Sequence, residues 1–153
     1  MNYAKLDIAE QWGRMNDSIV ALVDYIPREK INWSPREDLW NFRGLLYHIA
    51  SVRHSRLAEG VKDGEPRDDA ALLQLTQSRG GVLQALNESW ARVARFLSNQ
   101  EQLDGTYDRD NDGRIVSGHW IAFHLLEHDI HHRSDIFHYL ALLEIEHPEV
   151  GTP

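Results

Sequence analysis

Residues 119–140 read HWIAFHLLEHDIHHRSDIFHYL and contain six of the nine histidines of the chain. Side chains four residues apart lie one turn above each other on the same face of an α-helix. In a helix, His124, His128 and His132 therefore form a column, with His131 and Asp135 close beside it. This segment identifies the last helix of the chain and indicates where its chemistry lies.

Two histidines of this column have the spacing of metal ligands. His128 and His132 form an H-x-x-x-H pair, which can direct two imidazole nitrogens at one metal ion, as in helical metalloproteases. Asp129 follows the first histidine where those enzymes have Glu, so the metalloprotease motif itself does not match. Catalytic sites usually have three protein ligands and an open position. His48, among the apolar residues of LLYHIA, is the best candidate for the third ligand, because burying an unpartnered imidazole is costly.

The alternative interpretation is that these side chains are structural. A histidine on an apolar helix face is more often a hydrogen-bonded core residue than a ligand. Alternating charges such as Glu127, Asp129 and Arg133 are typical of a solvated helix face. His54 also has charged and polar neighbours, including Arg53, which predict a solvated face for that part of its helix.

Apolar residues recur with helical periodicity in four stretches, which predicts an all-α four-helix bundle forming a single domain over residues 1–153. Pro27 ends the first helix, because proline cannot continue a helix interior. A turn-rich segment before the last helix carries an Asp-Gly pair and predicts a short hairpin or bent loop. The predicted helices cover residues 8–26, 41–60, 78–98 and 117–143. The pattern of residues 70–76 is compatible with either a short helix or a loop.

Two further expectations concern packing. In the connecting loop 28–40, Trp33 and Trp40 are predicted to hold the loop against the body of the protein. The apolar stripe of the first helix alternates strictly between steps of four and three, which is the pattern of a helix seam and favours a homodimer. The same stripe would serve equally well inside a monomer core.

The composition excludes several classes of function. A formal net charge of −8 argues against nucleic acid as a partner. With no cysteine, disulfides, thiolate-ligated zinc, iron–sulfur clusters and a cysteine nucleophile are excluded. No secretory signal is visible at the amino terminus, and no apolar run approaches the roughly 20 residues of a membrane span, so we expect a cytoplasmic protein without membrane contact.

The segment DRDNDG, residues 108–113, resembles the opening of an EF-hand calcium loop. The bidentate Glu required at position twelve is replaced by His119, and no helix is predicted before the loop. We therefore interpret Asp112 and Gly113 as the turn of the predicted hairpin.

The motifs LLYHIA and HLLEHDIHHRSDI, together with IPREKINWSP and LALLEI, resemble the DinB/YfiT-like family of metalloenzymes over nearly the whole chain. The resemblance implies a four-helix bundle, often dimeric, with a divalent metal such as zinc or nickel bound by three histidines. Matched residue by residue, these are His48, His128 and His132. Where the family commonly has HHRGQ, this chain has HHRSD, so Ser134 and Asp135 depart from the pattern. Asp135 is then a candidate to orient a ligand imidazole.

The resemblance implies two routes for a small-molecule substrate. A metal-bound water can be activated for hydrolysis, or a low-molecular-weight thiol can be activated for transfer to an electrophile. Because the chain has no cysteine, such a thiol must be a cofactor or substrate. His124, Glu127, Asp129 and Asp135 are candidates for a general base. The alternative function is a non-catalytic, metal-stabilised bundle that acts as a dimeric stress-response or interaction module.

Overall fold

The computed structural model describes residues 7–110 and 112–148. Four long helices form the bundle that the periodicity predicts: α1 (Ile8–Tyr25), α2 (Phe42–Ser55), α4 (Arg79–Leu97) and α6 (Gly118–Leu142). A π-helical segment, Arg56–Val61, extends α2. The short helices α3 (Asp69–Leu75) and α5 (Gln100–Asp104), the strands β1 (Thr106–Asp108) and β2 (Ile115–Ser117), and a 3-10 turn at Arg28–Lys30 occupy the connections.

Each of the four long helices begins at a residue whose side chain caps its first turn. The Asp7, Asn41, Ser78 and Ser117 side chains accept hydrogen bonds from the backbone N–H three residues later. Such caps satisfy donors that have no partner within the helix. Together with the apolar periodicity, they explain why the helix starts agree with the sequence prediction.

The first two long helices, α1 and α2, follow each other in the chain but are not neighbours in the bundle. Both α1 and α2 pack against α4 and α6, which places α1 and α2 diagonally across the bundle.

The predicted hairpin is confirmed: β1 and β2 pair antiparallel, with Tyr107 opposite Val116. The apolar stripe of α1 is buried inside the bundle from Trp12 onward. Among the described residues, no helix has the length and apolar character needed to cross a membrane.

A layer of buried polar side chains divides the core into two apolar clusters. Ile19, Ile49 and Leu86 belong to one cluster. Met15, one turn from Ile19, and Leu57 and Val93, about two turns from Ile49 and Leu86, belong to the other cluster. The polar layer lies between them and consists of the fully or almost fully buried residues Asn16, Arg53, Ser89 and Asp129.

Arg53 joins all four long helices through this layer. Its guanidinium donates from Nε and Nη2 to the Asp129 carboxylate on α6, with Nη2 2.8 Å from Oδ2. Its Nη1 donates to Asn16 on α1 at 2.9 Å and to Ser89 and the Leu86 carbonyl on α4. Both Arg53 and Asp129 have side-chain exposures of 0%. The prediction of solvated faces for these two residues is therefore wrong.

Trp12 gives the Asp129 carboxylate a further hydrogen bond, because its indole Nε1 donates to Oδ2 at 2.8 Å. Burial alone would raise the pKa of the Asp129 carboxyl. The Arg53 charge and the hydrogen bonds outweigh burial and hold that pKa below its usual value. The carboxylate is thus ionised and fully partnered.

We predict that Arg53→Met lowers the free energy of unfolding by about 3–5 kcal/mol, because it leaves Asp129 as an uncompensated buried charge. Urea unfolding followed by circular dichroism measures the change. Arg14→Met is the matched control, since Arg14 pairs with Glu10 on the exposed surface, and it should cost less than about 1 kcal/mol. Equal small losses in the two variants would contradict a structural role for the buried pair.

Candidate metal centre

Three histidines from two helices face one another at one side of the bundle. His48 lies on α2, and His128 and His132 lie one turn apart on α6. Their ring centroids are separated by 4.8 Å (His48–His128), 4.9 Å (His48–His132) and 4.5 Å (His128–His132). One ring nitrogen from each lies within 4.8 Å of the other two. The structure therefore brings together the three residues that the spacing and the resemblance select.

Both ring nitrogens of His128 are buried without a hydrogen-bond partner among the described residues. The side chain as a whole is 13% exposed. The nearest carboxylate oxygen, Oδ1 of Asp129, is 3.7 Å from Nδ1, too far for a hydrogen bond. A buried polar group left unsatisfied costs about 1–3 kcal/mol. An imidazole in this position, facing two others, fits a bound divalent cation.

The surroundings of His48 and His132 favour the neutral imidazole, which is the form that binds metals. Burial, together with the nearby His128 and His132, lowers the pKa of His48 to about 4. Burial also lowers the pKa of His132, although the Asp135 carboxylate opposes the shift. Nitrogen-only, uncharged donor sets of this kind suit zinc, nickel, copper and iron.

Asp135 fixes the tautomer of His132. Its Oδ2 lies 3.0 Å from Nδ1 of His132, one turn away on the same helix. An ionised carboxylate can only accept, so Nδ1 carries the proton and Nε2 keeps its lone pair. His131 is mostly exposed and approaches the same Asp135 oxygen at 3.6 Å. His131, His132 and Asp135 thus form a second, more exposed group that shares His132 with the first.

Trp40 covers the histidine cluster, a position that the sequence pattern does not predict. Its ring centroid is 4.0 Å from that of His48 and 5.7 Å from that of His132, while 48% of the residue is exposed. The other tryptophan of the loop, Trp33, packs on Phe42 and Tyr139 as expected. The sequence offers one indication that Trp40 lies near His48: Trp40 directly precedes Asn41, the N-cap of the helix that carries His48.

The remaining candidates lie in other surroundings. His124 stacks on Trp120 with the rings nearly parallel, at a centroid distance of 5.1 Å. It is not part of either three-residue donor group. Asp129 is fully engaged in the polar layer, so it is unsuited to the role of a general base. His54 is half-buried and contacts the guanidinium of Arg92 at 3.2 Å, rather than lying on a solvated face.

The acidic residues of the EF-hand-like segment are held by other groups. The Asp108 carboxylate accepts from the backbone N–H of Asp112 and Gly113, which closes the turn of the hairpin. Asp110 pairs with Arg56 at 2.7 Å and with Arg114 at 2.8 Å. This arrangement agrees with the interpretation of the segment as a turn.

The comparisons with known proteins agree with the fold. A DinB family profile matches residues 1–151. A DinB-like protein of Bacillus cereus is 15% identical with a TM-score of 0.74, and 93% of this chain and 94% of that chain align. YjoA, a DinB-like protein of Bacillus subtilis, is 20% identical with a TM-score of 0.69 and 95% of each chain aligned.

YfiT from Bacillus subtilis, described as a probable metal-dependent hydrolase with an unusual four-helix bundle topology, is a third structural relative. It is 14% identical with a TM-score of 0.65, and 95% of this chain and 94% of that chain align. No curated protein sequence matches the chain. Because the family profile spans nearly all residues, the chain belongs to the DinB family, and the resemblance noted in the sequence is confirmed.

Proposed function

We propose that this member of the DinB family is a metal-dependent enzyme in which His48, His128 and His132 hold a divalent ion, zinc or nickel. The observation that carries the proposal is the convergence of three imidazoles around His128, whose two buried ring nitrogens have no partner among the described residues. When bound by three histidines, such an ion keeps an open position and lowers the pKa of a water or thiol placed there.

The protein side chains have distinct tasks in this proposal. His132 presents Nε2 because Asp135 holds the proton on Nδ1. Trp40 shields one side of the cluster from solvent, and its exposed edge offers an apolar surface to a small-molecule substrate. Asp135 is also a partly exposed carboxylate next to the cluster. It is therefore better placed than Asp129 to accept a proton from a nucleophile.

Hydrolysis and thiol transfer remain two routes for the same site. The description of YfiT as a probable metal-dependent hydrolase supports hydrolysis. Transfer would require a low-molecular-weight thiol from outside the chain, because the chain has no cysteine. The alternative is a non-catalytic, metal-stabilised bundle that acts as a dimeric stress-response or interaction module, and it shares the same three ligands.

We predict that the untagged protein binds one zinc or nickel ion and that His48→Ala, His128→Ala and His132→Ala each weaken binding at least about tenfold, since each removes one of three ligands. His131→Ala is the matched control on the same helix and should bind as the wild type does. Elemental analysis gives the stoichiometry, and quenching of tryptophan fluorescence by nickel reports the affinity through Trp40. If His128→Ala binds metal as the wild type does, the proposed ligand set is wrong.

A second prediction concerns Asp135. Replacing it with alanine should weaken metal binding by about 10- to 100-fold, because an unoriented imidazole is a poorer ligand. Asp135→Asn keeps a hydrogen-bond acceptor without the charge and should lie between alanine and the wild type. Competition with a chelator of known affinity measures all three proteins. Equal affinities would show that the carboxylate does not act on His132.

The reaction class is tested with two substrate types, an activated aryl ester for hydrolysis and a low-molecular-weight thiol with an electrophilic arene for transfer. We expect metal-dependent turnover of one type, lost in His48→Ala and retained in His131→Ala. Turnover that depends on added thiol assigns transfer, and turnover without thiol assigns hydrolysis. Metal binding with no turnover of either type would favour the non-catalytic alternative.

A further inference from the structure

A cavity of about 280 Å³ shares no lining residue with the histidine cluster and is lined by three arginines from three different segments. Arg28 belongs to the 3-10 turn after α1, Arg43 to the first turn of α2, and Arg79 is the first residue of α4. The described lining residues include no acidic side chain. The cavity is therefore a local concentration of positive charge in a chain whose net charge is −8.

The pairing of arginines elsewhere makes this cavity unusual. Most arginines of the chain have a carboxylate within 4.0 Å, as in the pairs formed by Arg53 and Arg92. For Arg28 and Arg43, no carboxylate of the described residues lies within that distance. The single carboxylate that the described part of the chain places within 4.0 Å of Arg79 is that of Asp24, at 3.3 Å, whose side chain is 75% exposed. Such an exposed pair contributes little. The cavity therefore keeps positive charge that carboxylates neutralise at most other arginines of the described residues.

Neutral groups hold two of these guanidiniums in place. Nη1 of Arg43 donates to the side-chain oxygen of Gln77 at 2.7 Å. Nη2 of Arg79 donates to the backbone carbonyl of Ile26. These contacts orient the side chains without cancelling their charge, and they leave further N–H donors for a ligand. Orienting arginines beforehand reduces the entropy lost when an anion binds.

We propose that this cavity binds the phosphate group of inorganic phosphate or of a small phosphate monoester. Planar guanidiniums match the geometry of phosphate oxygens and form charge-assisted hydrogen bonds with them. The first turn of α4 also borders the cavity at Ser78 and Arg79, and its N–H groups add favourable dipoles to the arginines. The net charge of −8 disfavours nonspecific anion binding over the rest of the surface. None of the proposed metal ligands takes part.

Isothermal titration calorimetry of the full-length protein with inorganic phosphate tests the proposal at neutral pH and physiological salt. We expect saturable one-site binding that Arg28→Gln and Arg43→Gln each weaken about tenfold, the effect of losing a charged hydrogen bond. The exposed Arg28 has no side-chain hydrogen bond to described residues, so its replacement should leave the fold intact. Absence of saturable binding by the wild type, or equal binding by these variants, would overturn the proposal.

Two control variants separate this site from other sources of binding. Arg133→Gln removes an arginine that also lacks a carboxylate partner among the described residues but lies outside the cavity, and it should leave phosphate affinity unchanged. His128→Ala should also bind phosphate normally. If phosphate binding is lost in His128→Ala but kept in Arg28→Gln and Arg43→Gln, the anion occupies the histidine cluster and the proposal fails.

A titration with glycerol 3-phosphate distinguishes the two sources of the phosphate group. Tighter binding than that of inorganic phosphate, with the same loss in Arg43→Gln, supports a monoester as the ligand. Equal or weaker binding with that loss supports free phosphate. Binding of both compounds that is insensitive to Arg28→Gln and Arg43→Gln contradicts the site.

Discussion

The fold depends on one guanidinium group, that of Arg53, which contacts the other three long helices from its place on α2. It pairs with Asp129 of α6 and donates to Asn16 of α1 and to α4. A charge with no solvent exposure is tolerated only if every part of it is partnered. The four helices must therefore adopt a single register in which these groups meet. Apolar packing supplies the stability of the two flanking clusters, and the polar layer defines how they align.

The same constraint positions the candidate site. Arg53 and His48 lie on α2, and Asp129 lies on α6 between His128 and His132. Once Asp129 points to Arg53, the rotation of α6 about its axis is determined, because successive residues are about 100° apart. The two histidines then face α2 and His48. The ion pair and the three imidazoles are thus coupled by the geometry of two helices, although their side chains have different roles.

The sequence predicts the helices and the triad because both follow from local spacing. Apolar periodicity and N-caps determine the starts of α1, α2, α4 and α6. The four-residue interval makes His128 and His132 a candidate ligand pair, and the apolar surroundings of His48 and the family resemblance complete the triad. Arg53 and Asp129 were not predictable in this way, since a charge on a helix has the same local pattern whether solvated or buried. Their partnership joins residues 76 positions apart. The placement of Trp40 over His48 likewise depends on the path of a loop, which local patterns do not determine.

We infer that the register imposed by Arg53 and Asp129 brings His48, His128 and His132 together as the proposed metal site. Anomalous diffraction from crystals of the nickel-loaded protein, recorded at the nickel absorption edge, tests it most directly. We expect one strong peak between these three imidazoles, with Nε2 of His132 as a ligand and Nδ1 still bonded to Asp135. A peak at His131 and Asp135 that excludes His48 and His128, or no ordered peak in loaded crystals, would contradict it.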